Sequence, residues 1–127
     1  MAGARGNLGE LWQPLARRQP ARGRDNPALE AIWQVIATIP RGRVSTYGEV
    51  ARAAGFPGHA RQTAYALRVA PGKLHLPWQR VLGAGGRIVF PAGSADFREQ
   101  ARRLRSEGVR VVNGRVPRAV LMDPDDL

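Results

Sequence analysis

Apolar residues recur every three or four positions in the segment "RDNPALEAIWQVIATIPRG". The recurring positions are Leu29, Ile32, Trp33 and Ile36. This period predicts an amphipathic helix with one buried face. Asp25 or Asn26 can cap its N-terminus, and Pro27 suits the first helical turn. Pro40 and Gly42 should then end the helix.

Two shorter helices follow, joined by a tight turn. In "VSTYGEVARAAG", Ser45 or Thr46 can cap the first of them, which ends near Gly55. The turn "FPGHA" leads into "ARQTAYALRVA", a third helix that should end before Pro71. A longer helix followed by such a pair is the pattern of a helix-turn-helix.

The third helix is predicted to have two distinct faces. The side chains expected to face the core are Thr63, Ala66, Leu67 and Ala70. The side chains expected on the opposite, cationic face are Arg61, Gln62, Tyr65 and Arg68. The small neighbours Ala60 and Ala64 would let this face approach a ligand closely. A solvated amphipathic helix that binds nothing has the same pattern, so the spacing alone leaves both interpretations open.

The second half of the chain predicts β-hairpins around one more helix. "RVLGAGGRIVF" is typical of a strand, a glycine turn and a second strand, and Asn113-Gly114 between β-branched residues predicts a hairpin turn. "SADFREQARRLRSEGV" predicts a helix that Ser94 caps and Gly108 stops. Its buried stripe should consist of Phe97, Ala101 and Leu104. Its arginines are interpreted as a solvated face; they are Arg102, Arg103 and Arg105. The predicted fold class is mostly α with short β-hairpins, a winged helix-turn-helix DNA-binding domain.

Charge and length narrow the class of protein. The 127 residues suit one domain, and the net charge is +10, with Lys73 the only lysine among 20 basic residues. Such a surface attracts polyphosphate, so nucleic acid is the expected partner, although a GC-rich genome also raises arginine content. We expect residues 1–24 to form a flexible arginine-rich tail and residues 25–127 to form the DNA-binding domain.

Residue types that are missing or isolated exclude several kinds of chemistry. The chain has no cysteine, which excludes disulfides, zinc–thiolate sites and thiol nucleophiles and fits a cytoplasmic protein. No apolar run approaches the length of a membrane span. His59 and His75 are isolated, so no metal site and no cofactor are predicted.

The stretch "KLHLPWQRVLGAGGRIV" places a large indole, Trp78, where no nucleophile, acid or base stands beside it. Together with "IPRGRVSTYGEVARAAGFPGHARQTAYALR" and "SEGV", its "PWQRV" resembles the DNA-binding domain of the alkylguanine-DNA alkyltransferases, over roughly residues 27–116. Members of that family transfer an alkyl group from O6 of guanine to the cysteine of a Pro-Cys-His-Arg-Val motif. In this chain Trp78 stands at the cysteine position and Gln79 at the position of the histidine that helps to activate the thiolate.

Glu107 matches the acid that orients this histidine in the family, and we expect it to have nothing to orient here. Because transfer needs an activated nucleophile, the chain resembles the alkyltransferase-like branch, in which tryptophan replaces cysteine and no transfer occurs. Trp78 would then offer a flat apolar wall to the O6 substituent.

The resemblance implies further roles, residue by residue. Tyr47 matches a tyrosine that crowds the target phosphate and helps to rotate the nucleotide out, and Arg61 matches the arginine that enters the duplex in its place. The helix that carries Ala60, Arg61, Gln62 and Ala64 would lie in the minor groove. Val81 and the backbone of residues 90–93 would line the base pocket.

The roles of two further residues stay open, and three positions depart from the family pattern. Gln79 could hydrogen-bond either to the base or to the loop backbone, and Arg80 could brace the loop. The departures are Ala70 in place of an asparagine, Ala64 in place of a glycine, and Pro91 near a tyrosine of the pocket loop.

The resulting hypothesis is a non-enzymatic, monomeric sensor that binds and flips O6-alkylguanine in duplex DNA and marks it for nucleotide excision repair proteins. The alternative is a lesion-independent winged-helix regulator or architectural protein, which explains the charge equally well but leaves "PWQRV" unexplained. A third possibility is transfer chemistry that uses an unrecognised nucleophile.

Overall fold

The computed structural model describes residues 26–127, and the predicted tail (1–24) lies outside them. About half of the described chain is helical. The helices are α1 (Pro27–Ala37), α2 (Tyr47–Ala53), α3 (Ala60–Arg68) and α4 (Ala95–Ser106). The strands are β1 (Ser45–Thr46) and β2 (Val81–Leu82), and short 3-10 turns span Gly72–Leu74, Trp78–Arg80, Arg118–Val120 and Pro124–Asp126.

The predicted caps set the start of three helices. The Asn26 side chain accepts a hydrogen bond from the Ala28 amide at 3.0 Å, with Pro27 in the first turn of α1. Thr46 caps α2 by accepting from the Glu49 amide at 3.2 Å. Ser94 caps α4 by accepting from the Phe97 amide. Asn26 and Thr46 therefore cap the first two helices, and the other candidate for α1, Asp25, lies outside the described residues.

Helix α3 is held by two side-chain hydrogen bonds to neighbouring helices. The buried Trp33 indole of α1 donates to the Ala66 carbonyl at 2.7 Å, and the Thr63 hydroxyl donates to the Tyr47 carbonyl at 2.9 Å. Thr63 and Ala66 are fully buried, which confirms the predicted inner face of the helix. The helix ends at Arg68, before the predicted limit, because Val69 already has non-helical backbone angles.

The sheet is smaller than predicted. Strand β2 pairs in parallel with β1, Ser45 opposite Val81, and the second strand predicted for "RVLGAGGRIVF" does not form. Its backbone groups bond to different partners: the Arg87 carbonyl accepts from Gly83 at 2.7 Å, whereas the Ile88 amide donates to Gly114 at 2.8 Å. No regular ladder therefore continues past the glycine turn.

The predicted Asn113-Gly114 turn is present. Both residues have positive φ, 52° and 75°, and Val112 bridges Arg115 across them, as in the tight turn of a β-hairpin. Arg115 also bridges Arg87, so the two turns form a compact wing in which isolated bridges replace strands.

Two hydrophobic clusters meet at β2. The first lies among α1, α2 and α3, and the second lies under α4 and the wing. Val81 belongs to the first cluster and Leu82 to the second, because successive side chains of a strand point to opposite sides. This packing fixes β2 and with it the Trp78–Arg80 turn that leads into it.

Candidate nucleic-acid interface

An open cavity of about 660 Å³ lies beside α3. It is lined by Tyr47 of α2, by one side of α3, by Trp78, by the loop before α4 and by the first turn of α4. The lining residues are Tyr47, Ala60, Arg61, Ala64, Leu67, Arg68, Trp78, Val89, Phe90 and Asp96. We call this space the main cavity. It is mostly apolar, with two arginines and one acid at its edge, and it therefore suits a flat, weakly polar ligand attached to an anionic chain.

The Trp78 indole forms a wall of the main cavity. It stands at the start of a 3-10 turn and is only partly buried. Phe90 meets it edge to face, with ring centroids 6.3 Å apart and an angle of 81° between the planes. The Arg103 guanidinium lies over the ring, its central carbon 5.3 Å from the centroid. The ring therefore contacts an aromatic side chain and a guanidinium group.

Tyr47 and Arg61 border the main cavity from two different helices. Burial raises the pKa of Tyr47, so its hydroxyl stays protonated at neutral pH and can donate a hydrogen bond. Arg61 is exposed in the first turn of α3, and within residues 26–127 its guanidinium forms no hydrogen bond or ion pair. A long cationic side chain placed in this way can reach a ligand.

The outer face of α3 carries the other residues predicted for this helix. Ala60 and Ala64 line the main cavity, whereas Gln62 and Tyr65 do not. Tyr65 is 40% exposed, and the Arg68 guanidinium carbon lies 5.3 Å from its ring centroid. The predicted set is therefore divided between the cavity and the adjoining helix surface.

Three residues of the predicted site do not line the main cavity. Val81 has no exposed surface because its side chain packs in the first cluster, so it does not line the cavity as we expected. Gln79 is buried and its side-chain amide donates to the Glu107 carboxylate at 2.7 Å, a partner that the sequence did not predict. Arg80 bonds to Glu107 and to the Ile39 carbonyl, which braces the loop as predicted but keeps its guanidinium away from the cavity.

Glu107 has several partners, and the expectation that it would have nothing to orient is wrong. Its carboxylate accepts from Gln79, from Arg80 at 2.9 Å and from the Gly42 amide at 3.1 Å. Burial alone would raise the pKa of Glu107, but the hydrogen bonds from Arg80, Gly42 and Gln79 outweigh it and hold the pKa below its ordinary value. The acid therefore ties α4 to both the Trp78 loop and the loop after α1.

Comparison with known proteins identifies the family. A family model described as "6-O-methylguanine DNA methyltransferase, DNA binding domain" matches residues 27–109. The chain belongs to this family. The matched range contains α1 to α4, the Trp78 loop and Glu107, so all of the main cavity lies within the family domain.

Relatives and solved structures agree with this assignment. A "DNA base-flipping protein" of Vibrio parahaemolyticus is 43% identical over 83 residues, which cover 65% of this chain and 81% of the relative. "Alkyltransferase-like protein 1" of Schizosaccharomyces pombe is 40% identical over 80 residues, which cover 63% and 74%. A crystal structure of S. pombe Atl1 with damaged DNA containing O6-carboxymethylguanine matches with a TM-score of 0.67 at 33% identity, covering 76% of this chain and 95% of that one.

The chain contains no cysteine. Within residues 26–127 no group of three or more histidines and acids could hold a metal ion. In the same part of the chain, no helix combines the length and the apolar character that crossing a membrane requires.

The sequence did not single out Arg103 as a site residue. It was interpreted as part of a solvated face, yet it lies against Trp78. Helical spacing contains a usable signal, because Arg103 follows Asp96 and Gln100 on the side of α4 that faces the Trp78 loop. The contact itself depends on tertiary packing, which spacing alone does not reveal.

Proposed function

We propose that this protein is a non-enzymatic sensor of O6-alkylguanine in duplex DNA. The observation that supports it most directly is a single cavity that brings together Tyr47, Arg61 and the Trp78 indole, in a family domain that here contains no cysteine. The S. pombe relative solved with O6-carboxymethylguanine DNA supports the same ligand class. A chain without a thiolate can bind such a base without accepting its alkyl group.

Binding would begin with α3 in the minor groove. Extrusion of a base costs a few kcal/mol, and less where alkylation has already weakened the base pair. Arg61 would enter the duplex and occupy the vacated space, while Tyr47 would crowd the backbone of the flipped nucleotide. The short side chains of Ala60 and Ala64 allow the close approach that both steps require.

Selectivity for the lesion would come from the apolar wall. Trp78 and Phe90 offer aromatic surface to an O6 substituent that guanine itself lacks. Each methylene removed from water contributes about 0.8 kcal/mol, or roughly fourfold in affinity. Longer alkyl groups should therefore bind more tightly until the cavity is filled.

The protein would act as a monomer in the cytoplasm or nucleoid and mark the lesion for nucleotide excision repair proteins. The names of the relatives, a base-flipping protein and an alkyltransferase-like protein, support a role of binding without catalysis. Because an extruded base remains in the DNA after binding, a later repair step has to remove it.

The deciding experiment compares matched duplexes that contain guanine or O6-methylguanine at one position. Wild type should bind the methylated duplex more tightly. Arg61→Ala should weaken binding by about 1–3 kcal/mol, and Tyr47→Phe should weaken it less. Arg110→Ala is the matched control, because it removes an equal charge from an exposed residue that does not line the cavity.

The outcomes separate the alternatives. Equal affinity of wild type for both duplexes would remove the sensor hypothesis, and a preference for one undamaged sequence would favour a winged-helix regulator. Mass spectrometry after incubation with O6-methylguanine DNA tests for transfer, because a methyl adduct on the protein would establish an unrecognised nucleophile.

A further inference from the structure

A second, smaller cleft lies behind the Trp78 indole. Its volume is about 330 Å³, and it shares two lining residues, Leu67 and Trp78, with the main cavity. Phe90 lines only the main cavity and Arg103 only the cleft, although both contact the same indole. The indole and the Leu67 side chain therefore form the partition between the two spaces.

Small residues leave the cleft open. Ala70 and Gly72 line it, and a Cβ atom added at Gly72 would meet no other atom within 4 Å. Ala70 contributes only a methyl group to the wall of the cleft. The space is empty of side chains and directly adjoins the main cavity.

The polar lining of the cleft is cationic. Arg103 uses its Nε to donate to Glu99 at 2.7 Å, and its two terminal amino groups form no hydrogen bond within residues 26–127. Glu99 also binds Arg102, so the three side chains together carry one net positive charge. None of the cleft residues is an acid. These donors suit a carboxylate or another hydrogen-bond acceptor.

We propose that this cleft is a subsite for the far end of long O6 substituents, with preference for those that end in a carboxylate or a similar acceptor. The inference rests on the proposed function. A short alkyl group would stay in the main cavity against Trp78, whereas a longer chain would pass the edge of the indole and reach Arg103. Arg103 is then a specificity-determining residue for the distal group.

The test measures the Kd of duplexes that carry O6-methylguanine, O6-hexylguanine or O6-(carboxypentyl)guanine; the last two have chains of equal length. For wild type, we expect the hexyl duplex to bind more tightly than the methyl duplex, and the carboxypentyl duplex to bind about tenfold more tightly than the hexyl duplex. Ala70→Leu fills the cleft, so it should remove both advantages without changing the affinity for the methyl duplex.

Two arginine variants test which side chain recognises the carboxylate at the end of the O6 substituent. Arg103→Met should abolish the carboxylate advantage, while Arg102→Met should preserve it. The two residues lose the same charge and the same Glu99 partner, but Arg102 does not line the cleft. Gly72→Leu provides a second way to fill the cleft if thermal melting shows that Ala70→Leu is unfolded.

The proposal is overturned if filling the cleft leaves the hexyl and carboxypentyl affinities unchanged. It is also overturned if the two arginine variants reduce the carboxylate advantage equally. Either result would leave the sensor function intact, provided that the methyl duplex still binds more tightly than the guanine duplex. Equal binding of those two duplexes would instead reject the proposed function itself.

Discussion

Replacement of the buried carboxylate by an amide, Glu107→Gln, should destabilise the whole domain. The Glu107 side chain is only 4% exposed and accepts hydrogen bonds from Gly42, Gln79 and Arg80. The variant keeps an oxygen for the Gly42 amide, but its neutral amide leaves the Arg80 guanidinium, 17% exposed, without a counter-charge.

The expected loss in the free energy of unfolding follows from this geometry. Removal of one partner from a buried ion pair costs about 3–5 kcal/mol. Arg80 retains some contact with water and its 2.8 Å bond to the Ile39 carbonyl, so we expect a smaller loss than that range, about 2–3 kcal/mol. For a domain of this size each kcal/mol lowers the Tm by roughly 4–8 °C, which makes the change easy to measure.

The pH dependence provides a second test. The pKa of Glu107 is lowered in the fold, so its contribution is fully present above the unfolded value and is lost as the pH falls through the folded value. The difference in unfolding free energy between wild type and Glu107→Gln should therefore be constant near neutral pH. It should begin to shrink as the pH falls below 4.5, the ordinary value for this group, and continue to shrink down to the lower pKa of the folded state.

Urea denaturation at neutral and acidic pH measures both effects. Glu99→Gln is the matched control, because Glu99 pairs with two arginines on the exposed surface of α4 and should contribute little. Equal midpoints for wild type and Glu107→Gln would refute the assigned role of the carboxylate, as would a difference between them that persists unchanged in acid.

Other predictions concern the turn, the core and the lost chemistry. Gly114→Ala should cost about 1–2 kcal/mol, because φ is 75° and the new methyl group would meet the Phe97 ring at 3.1 Å; thermal melting against Gly72→Ala, where the space is open, checks it. Trp33→Phe should cost about 2 kcal/mol, because the buried Ala66 carbonyl loses its donor; an unchanged urea midpoint would contradict this. Trp78→Cys combined with Gln79→His should acquire a methyl adduct from O6-methylguanine DNA faster than Trp78→Cys alone, because Glu107 lies 2.7 Å from the side-chain nitrogen at position 79; equal rates by mass spectrometry would reject that reasoning.

The parts of the fold that the sequence predicted are those with a local cause. Helix α1 was predicted from the spacing of its apolar residues, because these side chains are all buried on one face of the helix. They are Leu29, Ile32, Trp33 and Ile36. The positive φ required at Gly114 gave the wing turn. The missing second strand could not be predicted locally, because its backbone bonds are divided between a near glycine and a distant turn.

The candidate site, like the fold, was predicted where a sequence motif was sufficient and missed where tertiary packing decides. The family motif predicted that Tyr47, Arg61 and Trp78 would lie together, and the structure places all three at one cavity. The same motif misled at Val81, because the direction of each side chain after the Trp78–Arg80 turn depends on how β2 packs between two clusters. The contact of Arg103 with the indole was invisible for a similar reason, since it joins elements that are remote along the chain.

A tryptophan at the position of a reactive cysteine would also affect how many times one protein molecule can be used. A cysteine that accepts an alkyl group is spent after one event, whereas under the proposed function the indole of Trp78 would form no bond and would be unchanged when its occupant departs. Occupancy then follows concentration and dissociation rate, and one molecule can visit many sites in succession. The number of molecules occupied at one time would then be the rate at which damaged bases are bound multiplied by the duration of each visit.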